Sequence, residues 1–129
     1  MARAFYWYDL ETSGTDPKWD RMVQVAGLRT DEDLNVIGDE LCTYVRLGED
    51  ILPNPDACLV TGIMPATLQR EGIPEVQAWE EIMRRFTVPE TSVLSGPGMR
   101  IHGDSSACLL RPRALLCFAS WRAAMSKVF

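Results

Sequence analysis

Two acidic residues, Asp9 and Glu11, close the aromatic run Phe5-Tyr6-Trp7-Tyr8. Only Leu10 separates them, and Thr12-Ser13-Gly14, a turn-forming triplet, follows. An aromatic run reads as a buried strand, and strand side chains alternate between faces, so both carboxylates point to the same side. Carboxylates that close repel each other and lose hydration, a cost that a cation between them offsets. The arrangement suits a divalent-metal site of hard oxygen donors, with Mg²⁺ the natural ion and Mn²⁺ a substitute. A solvated strand end with two incidental acids is the alternative. Asp-x-Glu taken alone does not separate the two.

The rest of the chain must build a scaffold for that pair. Its 129 residues suffice for one domain with a real core. Apolar and charged contents of 47% and 24% are those of an ordinary soluble globular sequence. No apolar run approaches the ~20 residues of a membrane span, and no basic-then-apolar leader opens the chain. The four cysteines, Cys42, Cys58, Cys108 and Cys117, form no C-x-x-C pair. They read as reduced, buried apolar groups in a cytoplasmic protein, and zinc is not expected. The formal charge of −5 argues against gross attraction to nucleic acid but permits a local basic groove.

That charge is unevenly spread. Residues 1–94 hold 8 Lys+Arg against 17 Asp+Glu, a balance of −9, while residues 95–129 hold 5 against 1, a balance of +4. The shift predicts a division at residue 94, with a tail of different origin or purpose behind it.

Residues 4–9 read as the first strand and 22–30 as the second, largely buried. Asp31–Asn35 is a polar, solvated turn. A third strand runs through 36–38 and 41–46, with Gly38 at a kink or bulge. Three strands joined by short turns make an antiparallel meander. Asp56–Val60 reads as a short helical turn closed by Gly62, and a helix opens at Pro65 and stops at Gly72. Beyond Pro74, Val76, Trp79, Ile82, Met83 and Phe86 follow helical spacing, with Trp79 and Phe86 expected in the core. Residues 91–94 read as a further strand. A last helix is expected from about Pro112 to Ser126, and the pattern as a whole is α/β with a mixed sheet.

Residues 5–94 resemble the N-terminal part of the bacterial exonuclease I family, within the proofreading-type, four-carboxylate exonucleases. The matching text begins with Tyr8-Asp9-Leu10-Glu11-Thr12-Ser13-Gly14-Thr15-Asp16-Pro17 and continues through residues 20–31. Leu52-Pro53-Asn54-Pro55, Thr61-Gly62-Ile63-Met64-Pro65 and Phe86-Thr87-Val88-Pro89-Glu90-Thr91 are the segments that single out this family. The resemblance implies a ribonuclease H-like exonuclease fold, N-terminal half only: a mixed sheet with a three-strand meander plus helices. It implies 3′→5′ exonuclease action on single-stranded DNA ends, by two-metal hydrolysis with Mg²⁺, in DNA repair or recombination. Asp9 and Glu11 would be the catalytic metal ligands. Glu11, with the backbone around Leu10 and Thr12, would also meet the terminal nucleotide. A proofreading subunit or an oligoribonuclease is the alternative within the superfamily.

The resemblance stops at Ser95. Family members continue Gly-Tyr-Asn-Asn and then Phe-Asp-Asp-Glu, which supplies the third carboxylate, whereas this chain reads Gly96-Pro97-Gly98-Met99-Arg100-Ile101-His102-Gly103-Asp104. Asp104 is a doubtful third ligand, because Gly103 and the serines after it do not make a helix to aim it. His102, the sole histidine, falls in the wrong place for the family's general base and reads as a loop residue. The expectation is therefore a partial exonuclease domain over 1–94 and a divergent tail over 95–129, frameshifted or otherwise non-native. A chain with only the first carboxylates is expected to be weak or inactive.

Overall fold

The computed structural model describes residues 3–95. Strands β1 (Ala4–Thr12), β2 (Met22–Thr30) and β3 (Val36–Arg46) form the expected antiparallel meander. A two-residue β4 (Ile73–Pro74) adds parallel to β3, and β5 (Thr91–Ser95) adds parallel to β1. The sheet is thus mixed, in the order β4-β3-β2-β1-β5. β1 is longer than its aromatic run predicts, since it carries the carboxylate pair inside the strand.

Local chemistry accounts for the joints. Between β2 and β3, an Asp31 carboxylate oxygen accepts hydrogen bonds from the amides of Asp33 and Asn35 at 3.0 and 2.9 Å, and Leu34 takes a left-handed φ of 63°. Gly38 has a φ of +74°, where the pairing jumps from Gly27↔Leu41 to Arg29↔Ile37. Three β3 residues there oppose one residue of β2, so the expected kink is a bulge that only a residue at ease with positive φ fills cheaply.

Helix α1 (Pro55–Thr61) is capped by Asn54, whose side chain accepts from the Asp56 amide at 2.9 Å. Helix α2 (Pro65–Glu71) starts on Pro65 and ends at Gly72, as the sequence predicts. Helix α3 (Glu75–Phe86) packs on the sheet through Ala78, Ile82 and Phe86. These meet Met22, Val25, Leu41 and Val45, with Leu10 and Ile73 at the margin. Tyr6 and Tyr8 set their rings against Phe86, with centroids 5.6 and 5.0 Å apart. A second cluster of Val23, Leu47, Ile63 and Leu68 anchors the α2 end of the sheet.

Two expectations are corrected here. Trp79 and Met83 lie on the outer side of α3, 47% and 50% exposed. The helix carries two overlapping apolar stripes, and the one that includes small Ala78 lets the helix come close to the sheet. Cys42 is exposed on β3, while Cys58 is buried on α1 as expected. The expected helix at 112–126, together with Cys108, Cys117, His102 and Asp104, lies outside the described residues.

Arg29 ties the layers together. Its guanidinium donates to the backbone carbonyl of Arg85 at 2.7 Å and to the hydroxyl of Thr91. It also stands 5.4 Å from the centre of the Tyr6 ring. One side chain on β2 thus satisfies a carbonyl at the C-terminal end of α3 and holds the first residue of β5. Arg29→Ala is expected to lower unfolding free energy by about 1–3 kcal/mol, read as a lower denaturant midpoint at unchanged m-value.

Candidate active site

The sequence predicts that Asp9 and Glu11 share one face, and the register keeps them so. β1 pairs without interruption from Phe5↔Thr30 to Glu11↔Gln24, and the register shifts only between Glu11 and Thr12. Leu10, between them, turns the opposite way and packs against the core cluster under α3. Its side chain is therefore committed to the core, and only its backbone is left at the level of the carboxylates.

The two acids sit in different surroundings. Asp9 is an exposed position, yet neighbouring strand atoms strip water from its carboxyl group. That desolvation pushes its pKa above the usual carboxylate range, against the opposing pull of a 3.0 Å hydrogen bond from the Leu10 amide. Glu11 is buried, at 8% exposure. Directly across from it on β2 stands Gln24, 2% exposed, whose Nε2 has no hydrogen-bond partner among the described residues. A buried donor of that kind, in register with a carboxylate, is unusual enough to mark the site. Sequence reading passed over Gln24, since a glutamine within a strand carries no motif. Its register opposite Glu11 is what gives it away.

What fixes the end of β1 is the loop behind it. Thr12 donates its hydroxyl hydrogen to the Gly14 carbonyl at 2.7 Å. The Ser13 hydroxyl donates to Asp20 at 2.8 Å and accepts from the Arg21 amide at 2.9 Å. The second oxygen of Asp20 accepts from the Asp16 amide at 2.8 Å. Gly14 lies so close that a Cβ there would fall 2.4 Å from an Asp20 oxygen, which is why this position is glycine. Ser13 further accepts, through its carbonyl, from the Asn54 amide at 2.7 Å, which links the loop to the cap of α1.

As a donor set for a divalent cation, Asp9 and Glu11 provide hard oxygens on one face and fit the ion's chemistry. Among the described residues, no group of three or more His, Cys, Asp or Glu side chains gathers to hold a metal.

A mixed sheet carrying an Asp-x-Glu pair inside its first strand is the opening of a ribonuclease H-like nuclease. The exonuclease family model of RNase T type matches residues 6–92, and the chain belongs to that family. Within it, the similarity runs to exonuclease I. Exodeoxyribonuclease I of Haemophilus influenzae is 38% identical over 97 residues, covering 75% of this chain and 20% of the relative. Exonuclease I from Methylocaldum szegediense superposes with a TM-score of 0.71 at 41% identity, over 83% of this chain and 23% of that one. Escherichia coli exonuclease I in complex with a dT13 oligonucleotide gives 0.71 at 37% identity, over 81% and 23%. The chain spans about a fifth of the length of the curated relatives it matches.

The raised pKa of Asp9 has a consequence for stability. The folded chain holds this proton to higher pH than the unfolded chain does, so stability falls as pH rises from the ordinary Asp value, about 3.9, through the raised one. Asp9→Asn, neutral throughout, is expected to raise Tm at pH 7. The gain shrinks as pH is lowered towards 4, and thermal scans across that range check it.

Proposed function

We propose that residues 1–94 are the opening part of a 3′→5′ exonuclease domain for single-stranded DNA, acting in DNA repair or recombination with Mg²⁺, and that residues 95–129 are a divergent tail. The observation that carries this reading is the Asp9–Glu11 pair on one sheet face, within a stretch that the exonuclease family model matches. The dT13 complex of the Escherichia coli relative supports the choice of single-stranded DNA.

In this reading Asp9 and Glu11 are metal ligands. Bound divalent ions would activate a water for attack on the terminal phosphodiester and stabilise the leaving 3′ oxygen. The chain's own residues do the positioning. Glu11, buried at the strand end, presents its carboxylate from a fixed backbone and faces the terminal nucleotide. The backbone of Leu10 and Thr12 borders the terminal sugar and base, with Leu10 locked by its side chain in the core. Asp9 must give up its proton to bind, and its desolvation makes that harder, so metal binding weakens on acidification sooner than at an ordinary aspartate.

Two carboxylates hold an ion loosely, and placing a pair of ions about 3.5–4 Å apart takes more ligands. The described residues supply only the two. Two measurements test these points. Mn²⁺ titrated into the chain is expected to bind weakly and to lose its site in both Asp9→Ala and Glu11→Gln; binding untouched by either change would remove the metal assignment. With Mg²⁺ and 3′-labelled single-stranded DNA, release is expected near background, and robust release abolished by Asp9→Ala would overturn the view that this chain is a weak enzyme.

A further inference from the structure

The most exposed tryptophan among the described residues is Trp19, at 70%. It belongs to the loop that fixes the end of β1. Trp19 and Asp20 both donate their amides to the Asp16 carbonyl, at 3.2 and 2.8 Å, closing one tight turn. Asp20, the next residue, is bonded to Ser13, which lies two positions beyond Glu11. Covalent geometry and that one hydrogen bond keep the Trp19 and Glu11 Cα atoms within roughly 20 Å of each other.

Of the loop's two acids, Asp20 is partly buried and accepts from Ser13 and from the Asp16 amide, whereas Asp16 is exposed and accepts from the Lys18 amide at 2.9 Å. The cations remain outside. Lys18 places its ammonium nitrogen 5.2 Å from the centre of the Trp19 ring, and Arg21 is exposed. The loop therefore offers solvent a flat aromatic surface with a lysine ammonium beside the ring and an exposed arginine two residues on, within a segment of residues 1–94 whose balance is −9. A large apolar ring left in water with cations beside it is poorly suited to an apolar protein partner. It suits a base and its phosphate.

We propose that Trp19 and Lys18 form a nucleotide-binding step at the rim of the Asp9–Glu11 site: the indole stacks on a base of single-stranded DNA and the ammonium meets an adjacent phosphate. The proposal rests on the exonuclease reading above and adds to it a substrate contact outside the carboxylate pair. Stacking of this kind is indifferent to base identity, because every base has a π face, so the step grips the strand without selecting sequence. The turn is pinned to Ser13, so the backbone that carries the ring is held at a set place relative to the strand end.

The test is binding of a 5′-fluorescent dT oligonucleotide to the full chain, with Mg²⁺ withheld, followed by anisotropy. Trp19→Ala and the apolar Trp19→Leu are each expected to weaken binding about tenfold, within the range for loss of one stacked base, whereas Trp19→Phe stays within about twofold. Lys18→Gln is expected to flatten the slope of log affinity against log salt by about 0.7, as for one lost phosphate contact on a single strand. Circular dichroism checks that the exposed substitutions leave the fold unchanged. An unaltered chain that binds while Trp19→Leu binds equally well overturns this proposal and leaves the exonuclease reading standing. An unaltered chain that does not bind single-stranded DNA at all overturns the single-stranded DNA reading, and the stacking step with it.

Discussion

The Asp20 carboxylate is the pin on which the candidate site turns. β1 must end just after Glu11, and the chain must leave the sheet without dragging the acids out of register. Asp20 achieves this by accepting from both a side chain and a backbone amide across a gap of several residues. Both of its oxygens are engaged by donors within the loop. The close approach of Gly14 is part of the same device, since any side chain there would displace the carboxylate. The geometry of the acids is thus set from behind, by a loop that is itself tied to the cap of α1.

Much of the fold was legible because its signals are local. A nearly continuous apolar run marks β2, Pro65 and Gly72 mark the ends of α2, and the Asp31 turn announces itself by composition. Asp9 and Glu11 were legible for the same reason, as their shared face follows from strand period alone. What escaped were features decided by partners distant in sequence. β4 is two residues long and exists only because β3 offers it an edge. Trp79 reads as core until Ala78 is seen to set the contact face of α3, a choice made by closeness of approach and not by hydrophobicity. Gln24 and Trp19 carry no motif. Their interest comes from register in one case and from a turn that leaves an indole in water in the other.

The two acids also show why a motif and a working centre are different things. Asp9 resists ionisation and Glu11 is buried beside an orphaned amide donor. Both conditions cost folding free energy; a cation would offset the first, and an acceptor group the second. Such costs are ordinary at sites that bind something, and at this strand end they coincide with the stretch shared with exonucleases. The matched stretch covers about a fifth of the relatives' length. The strand that holds the pair, by contrast, is complete within its first dozen residues.

The position of β5 carries a consequence in time. β1, β2 and β3 are joined by short connections and can zip together as soon as they are made, whereas β5 reaches β1 only after the whole of α1, α2 and α3 has been laid down between them. Loop-closure entropy and topology both place that parallel pairing last. During synthesis the strand bearing the carboxylates therefore spends a long interval as a raw sheet edge, its outer amides and carbonyls open to any passing chain. Asp9 and Glu11 lie just beyond the stretch of that edge which β5 covers, Ala4 to Tyr8, so the carboxylates flank the pairing and take no part in it.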